Sequence, residues 1–356
     1  KSMVGRTQMG RCDRRLRQAF PDKSEEIFGG LPAIILGDFA QLPPIGDTPL
    51  YSTRNSTRKP ALTAEGQRLY NAFTQSITLS RVFRQEGDSP EQVRFRDALL
   101  RLRTYSTNDN DYELFKTRFW DKLSEDERQK AKLALHLLPT RASVDECNIK
   151  QLAALAKPVV RCKAKHNCPA AKKASDEDAD GLQPEILLAE GAKVMVTRNL
   201  WTAKGLVNGA QGIVKKIWYS ARTNPREHLP AVVFIECKGY SGPNNAGWEG
   251  IEPHWVPIVP VTARWEDRTG KALSRTQLPL ALAWAITIHK SQGVTLDEAT
   301  IELGPKDFQA GLSFVAISRV KTLSGLVFRT AFPHSRLLRT EETASMQMLN
   351  LDIARR

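Results

Sequence analysis

Long hydrophobic runs are missing from this 356-residue sequence. The longest, "LPLALAWAITI" at 278–288, falls well short of the roughly 20 apolar residues that a membrane-crossing helix needs. Cysteine is scarce as well. Cys12, Cys147, Cys162, Cys168 and Cys237 are odd in number and scattered, which argues against a disulfide scaffold and for a reducing, intracellular compartment. Paired C-x-x-C spacing is absent. "CKAKHNC" (162–168) offers Cys162, His166 and Cys168 with no second pair, so no metal site is expected. No G-x-x-x-x-G-K-[S/T] occurs either. "TGKA" (269–272) lacks the first glycine and the hydroxyl residue, and it sits among strand-like segments rather than between a strand and a helix. The phosphate-cradling loop, its lysine and the hydroxyl that holds Mg2+ are therefore not in this sequence. No signal-peptide pattern opens it, and residue 1 is Lys1 rather than Met, so the chain reads as a fragment or a processed product.

What is abundant is positive charge. Lys and Arg number 52 against 39 Asp and Glu, a net charge of +13. Such a balance favours polyanionic partners, nucleic acid first, although a generically basic protein would look the same. The hydrophobic share of 41% suffices for packed cores, and the length suggests two or three domains at roughly 100–200 residues each.

Along the chain, "RCDRRLRQAF" predicts a helix with Leu16, Ala19 and Phe20 on its inner face, and its arginines read as a solvated surface. "AIIL" (33–36) predicts a buried strand, and "SITLSRVFRQ" (76–85) begins with strand-like alternation. Helices are expected near 62–73 and over 91–103, where Phe95, Ala98, Leu99 and Leu102 share a stripe. "SEDE" (124–127) and "SVDE" (143–146) are capping boxes, and "LALHLL" (133–138) is a second buried strand. This alternation is the pattern of a parallel α/β sheet. Residues 161–184 read as a flexible polar insertion. From 192 to 265 short β-rich segments suggest a small β-barrel, with a hairpin signal at Asn208-Gly209. Helical character is expected again from about 279, and a peripheral helix after 335.

Four stretches carry polar residues of chemical interest. In "PAIILGDFAQLPPIGD" (32–47) an apolar run ends in Asp38, Gln41, Pro43 and Pro44. Ligands of open α/β sheets bind beyond the carboxyl ends of strands, where Gln41 could bond a phosphate oxygen or an attacking water. A polar turn held by the prolines is the alternative. "VFRQ" (82–85) places Arg84 after a strand, where a guanidinium can reach a phosphate, a solvated arginine being the alternative. "AWAITIHKSQGVTLD" (283–297) leads an apolar stripe of Ala281, Trp284, Ala285 and Ile288 into His289, Lys290, Ser291, Gln292 and Gly293. Those donors suit a phosphodiester backbone, an ordinary polar helix end being the alternative, and Gly293 suits a helix C-cap. "GLSFVAISRVKTLSGLVF" (311–328) turns Leu312, Val315 and Ala316 inward and lets Arg319 emerge at a helix end. An arginine there can stabilise a transferred phosphoryl group or simply complement the helix dipole.

Together, in this order, the stretches resemble the Pif/RecD-type superfamily 1 DNA helicases. "FGGLPAIILGDFAQLPPIGD" resembles the family's motif III, "LSRVFRQ" motif IV, "LAWAITIHKSQGVTLD" motif V and "FVAISRVKTLSGL" motif VI. "GAKVMVTRNL" with "GLVNGAQGIV" is similar to the start of the family's SH3-like module. The resemblance runs from about 1 to 330. It implies RecA-like (P-loop NTPase) motor domains with an inserted SH3-like β-barrel, the first motor domain incomplete. The implied boundaries are 1–75 for the C-terminal part of the first RecA-like domain, 76–190 and 277–335 for the second, 191–276 for the β-module and 336–356 for a tail.

The resemblance further implies ATP-dependent 5′-to-3′ movement along single-stranded DNA, in DNA repair and recombination, in a nucleus or mitochondrion if the source is eukaryotic. Gln41, Arg84 and Arg319 would be catalytic. Asp38 and Gly293 would join them around the nucleotide. Pro43, His289, Lys290, Ser291 and Gln292 would face DNA, with Asn199 and Asn208 from the β-module. Trp201 departs from the family, whose members often carry an acidic residue after Asn-Leu. ATP and Mg2+ are the implied cofactors, but the Mg2+-holding Asp-Glu pair would stand just upstream of the opening "KSMVGR". The chain alone is thus expected to hydrolyse ATP poorly or not at all. A non-catalytic single-strand-binding remnant of a transposon-borne helicase is the competing expectation, to be separated by the coding sequence upstream of Lys1. An RNA-directed motor is a third.

Overall fold

The computed structural model describes all residues except 1, 55–58, 222, 245–248, 268, 305–308, 339–343 and 356. Backbone contacts divide the chain into two units, Lys1–Pro139 with Thr287–Arg356, and Thr140–Ile286.

The first unit opens with helix α1 (Arg6–Ala19), followed by α2 (Pro60–Asn71). The buried face of α1 is Arg6, Met9, Gly10 and Asp13, and the expected inner residues Ala19 and Phe20 are exposed. The polar members are internally satisfied, which apolar periodicity cannot register. Arg6 donates to the carbonyls of Thr63, Ser52 and Arg54 at 3.2, 3.0 and 2.8 Å, and Asp13 accepts from Phe28 N at 2.5 Å. Helix α3 (Pro90–Arg103) starts at the N-cap Ser89 and buries Phe95, Ala98, Leu99 and Leu102, as its stripe predicts. Then come α4 (Asp109–Lys116), α5 (Glu125–Leu133) with the expected Ser124–Glu127 capping box, and strand β1 (Leu135–Leu138), buried throughout.

The second unit begins with α6 (Arg141–Ala154). Its capping box is Thr140 with Ser143, three residues before the expected one, because Thr140 Oγ1 accepts from Ser143 N at 3.1 Å. Next are β2 (Val160–Lys163), β3 (Lys165–His166), α7 (Pro169–Lys173), β4 (Glu185–Leu188), β5 (Lys193–Val196), β6 (Gln211–Trp218) and β7 (Val232–Cys237). β8 (Val256–Ile258), β9 (Val261–Glu266), β10 (Ala272–Gln277) and β11 (Leu280–Leu282) complete it, and β12 (Ala285–Thr287) spans the boundary between Ile286 and Thr287. An antiparallel sheet of order β11-β5-β6-β7-β8 covers a core that includes Ile186, Val194, Val233, Ile235 and Trp284.

Two expectations fail in this unit. Segment 161–184 is structured rather than flexible. Fully buried Arg275 donates to the carbonyls of Leu182, Ala171 and Ala174 at 2.7–2.9 Å, and Gln277 Nε2 donates to Cys162 O at 2.9 Å. Polar composition concealed this because the anchors lie some hundred residues away. Residues 280–287 form strands, not a helix, since a short apolar run buried on both faces fits either. Cys162 lies inside the core, where burial pushes its thiol up to about 12. "TGKA" turns the β9–β10 hairpin, with Asp267 Oδ1 accepting from Thr269 N and Lys271 N.

The chain returns to the first unit with β13 (Ala299–Ile301), α8 (Leu312–Ile317), β14 (Leu326–Phe328) and α9 (Ala344–Arg355), the helix of the expected tail. β1, β13 and β14 pair in parallel, and β13–α8–β14 is a crossover unit. The expected strand at 33–36 and the strand-like start of 76–85 enter no sheet among the described residues. Ile34 and Leu36 are 86% and 78% exposed, Ile77 and Leu79 89% and 86%. The composition is that of core strands, but a sheet also requires a neighbour in register, which composition does not supply.

Candidate functional site

Loop 38–44 is tied down from several sides within the first unit. Asp38 accepts two bonds from the guanidinium of Arg103, at 2.9 and 2.8 Å, and one from Ala40 N at 3.1 Å. The Asp38 bonds push Arg103 up from its ordinary value. Gly311 (φ +81°) lies so close that a Cβ there would fall 2.4 Å from Ala40 O, and Gly311 N donates to Tyr105 Oη at 2.6 Å.

The turn at 289–295 reaches this loop. It is a single 3-10 turn, His289–Ser291, closed by Gly293 at φ +87°. Gln292 Nε2 donates to Gln41 Oε1 at 2.9 Å. Gln292 Oε1 is buried without a hydrogen-bond partner among the described residues. His289 Nε2 meets Gln309 Oε1 at 2.5 Å, and Gln309 Nε2 donates to Pro43 O at 3.5 Å. Ser291 is buried and donates back to Ile288 O at 2.8 Å. It thus braces the turn, while Lys290 is exposed.

The far end of the same turn meets the two arginines. Arg84 Nε donates to Thr295 Oγ1 at 2.9 Å and Nη1 to Ser318 O at 3.1 Å. Arg319, only 2% exposed, donates to Val315 O and Ser318 Oγ at 2.7 Å each, and to Val294 O at 3.5 Å. Gln85 is buried beside them and donates to the carbonyls of Ser318 and Val320. Arg319 does not emerge from the end of α8 as expected; it folds back over it. Burial, then the charge of Arg84, pull Arg319 down to about 9, and burial lowers Arg84. Among the described residues no carboxylate pairs with either.

Gln41, Arg84, Arg319, His289, Gln292 and Pro43 are thus joined through one turn, with Asp38 engaged by Arg103. Sequence reasoning missed Gln309, Arg103 and Tyr105. Gln85 and Thr295 stood inside stretches it had singled out. In the second unit, Asn199 and Asn208 are exposed on the loop between β5 and β6, where Asn208 N donates to Asn199 Oδ1 at 2.9 Å. Asn208-Gly209 forms a turn, Ala210 N donating to Val207 O at 2.9 Å. It closes a long β5–β6 connection rather than a two-residue hairpin.

No protein-family model matches the sequence. Over 302 residues the chain is 32% identical to the ATP-dependent DNA helicase PIF1 of Homo sapiens, taking in 84% of this chain and 40% of the human protein. This chain is a relative of the Pif1 helicases. The ATP-dependent DNA helicase Pif1 of Psychrobacter sp. (strain PRwf-1) is 29% identical over 339 residues, covering 85% of this chain and 49% of that one. The chain therefore spans about half or less of these Pif1 proteins. Pif1 helicase from Candida albicans matches with a TM-score of 0.69 and 25% identity, over 99% of this chain and 74% of that chain. Bacteroides Pif1 bound to ssDNA matches at 0.63 and 22%, over 99% and 73%. The mixed α/β fold is the one these Pif1 structures share.

Proposed function

We propose that this chain is part of an ATP-dependent 5′-to-3′ DNA helicase that couples ATP hydrolysis to movement along single-stranded DNA. The observation that carries the reading is the Arg84–Arg319 pair. Two buried or half-buried guanidinium groups converge on Ser318 and repel one another, with only neutral acceptors bonded to them among the described residues. An arriving phosphate would satisfy both charges. Gln41 would report on that phosphate from loop 38–44. Gln292 and His289 would carry the report to the DNA side, where Pro43, Lys290 and Ser291 stand in this reading. Asn199 and Asn208 would add contacts from the second unit, whose β-rich part is read as an SH3-like module over 191–276. Residues 1–75 would complete one RecA-like domain, and 76–190 with 277–335 a second. Action in DNA repair and recombination, in a nucleus or mitochondrion if the source is eukaryotic, follows the same reading.

ATP supplies the transferable phosphoryl group. A relative solved with ADP-AlF3 and ssDNA is a Bacteroides Pif1, and the arginine pair here fits an anion of that kind. Among the described residues no group of three Asp, Glu, His or Cys is placed to hold a metal ion, and Asp38 is engaged by Arg103. With no P-loop in the sequence, the chain by itself binds single strands without turning over ATP.

The test is direct. Fluorescence anisotropy with a labelled oligothymidylate should show binding whose affinity falls as salt rises, since phosphate contacts release counterions. ATP hydrolysis should stay at background with or without DNA. Absence of oligothymidylate binding would sink the helicase reading, and DNA-stimulated turnover would sink the statement about this chain.

A further inference from the structure

We propose that Trp201 is a base-stacking platform for single-stranded nucleic acid. The inference rests on the single-strand binding proposed above and adds a residue to it. Trp201 is 45% exposed, yet its loop is held by several backbone bonds. Leu200 N and Trp201 N both donate to Leu206 O, at 2.9 and 3.0 Å, and Leu206 N returns to Trp201 O at 3.1 Å. Leu206 itself is buried in the main core. Lys204 N also donates to Trp201 O, at 3.0 Å, and Ser241 N to Lys204 O at 3.0 Å. Gly205 (φ +84°) touches the neighbouring 237–242 turn, where a Cβ would fall 2.0 Å from Gly239 O.

That turn supplies a buttress. The Tyr240 ring stands edge-on to Trp201, centroids 6.5 Å apart and planes at 62°. Tyr240 Oη donates to Pro243 O at 3.1 Å. Trp201 is thus held on one side by an edge-to-face contact while much of its surface meets water. Exposed single aromatics are common and need no explanation. An exposed indole on a clamped loop, flanked by polar donors and unpaired cations, has a specific use. Asn199 and Asn208 are exposed on the same loop. Lys204 lies on it and Lys238 beside Gly239, and neither has a carboxylate partner among the described residues. Aromatic faces with cations at the margin hold bases and track the phosphates between them, whatever the sequence.

The experiment uses the whole chain and anisotropy with labelled oligothymidylate, alongside an abasic strand of equal length. Trp201→Leu keeps an apolar side chain and removes the π-face; it should weaken oligothymidylate binding about 5- to 100-fold. Trp201→Phe should recover most of the loss. The variant should bind the abasic strand as wild type does, and its dependence of affinity on salt should be unchanged, because the lysines remain. Thermal melting should match wild type, as the ring is outside the core. Equal oligothymidylate affinity for W201L and wild type overturns the inference and leaves the proposed function standing. So does a loss that is the same on the abasic strand, or a loss of self-association alone, which would mark a protein-facing surface. If wild type itself fails to bind, the proposed function falls, and the platform with it.

Discussion

Arg319 shows how a residue can be stable in its bonds and unsettled in its charge. Its guanidinium satisfies three neutral acceptors, while Arg84 sits close enough to oppose its protonation. An anion entering here relieves desolvation and repulsion together. Pyrophosphate, a minimal probe, should therefore raise the melting temperature of the chain. Stabilisation grows with ligand as RT ln(1 + [L]/Kd), about 2.7 kcal/mol at a hundredfold excess over Kd. Arg84→Ala should abolish most of that rise. Differential scanning fluorimetry of the two proteins across a pyrophosphate series checks it. An undiminished rise in R84A would remove Arg84 from the site. Motif position alone singled out both arginines as candidates. It could not foretell that they share Ser318, nor that Gln309 links His289 to Pro43, because Gln309 carries no pattern of its own. Such contacts depend on which turn folds against which loop.

Among the elements, those specified by local chemistry were legible and those that need a distant partner were not. Ser124 and Glu127 announce α5 because the cap is a matter of three residues. The stripe of α3 is equally local. Segments 33–36 and 76–80 read as strands because they are apolar, yet no described strand lies beside them. The 161–184 segment read as loose because its anchors, Arg275 and Gln277, come from β10. The α5 cap also yields a pH effect. Bonds from Arg118 first, then from Ser124, hold the Glu127 carboxyl down at about 2. A lowered carboxylate contributes stability that is fully present above its unfolded value near 4.5 and is lost as pH falls through about 2. Urea denaturation at pH 5 and pH 3 should show a smaller loss for Glu127→Gln than for wild type. The difference should be at most about 1 kcal/mol, since the Glu127 side chain is 39% exposed and screened by solvent. An identical loss in both proteins would remove Glu127 as its source.

At the scale of the molecule, two properties respond to salt in opposite directions. The surplus of 13 positive charges keeps copies of the chain apart while drawing polyanions in. Salt weakens both effects. The four aliphatic side chains Ile34, Leu36, Ile77 and Leu79, spaced two apart in each segment and open to water, respond the other way. Exposed apolar, strand-like segments are sites of self-association, and screening removes the repulsion that restrains them. Dynamic light scattering should show growth in particle size on going from about 0.15 to 1 M salt, where the Debye length shrinks from about 8 to 3 Å. Ile34→Lys with Ile77→Lys should suppress that growth without weakening oligothymidylate binding. Particle growth equal in the double variant and wild type would place the sticky surface elsewhere. The practical consequence is a narrow handling window: a high-salt wash that strips nucleic acid from the purified chain is also the step that precipitates it.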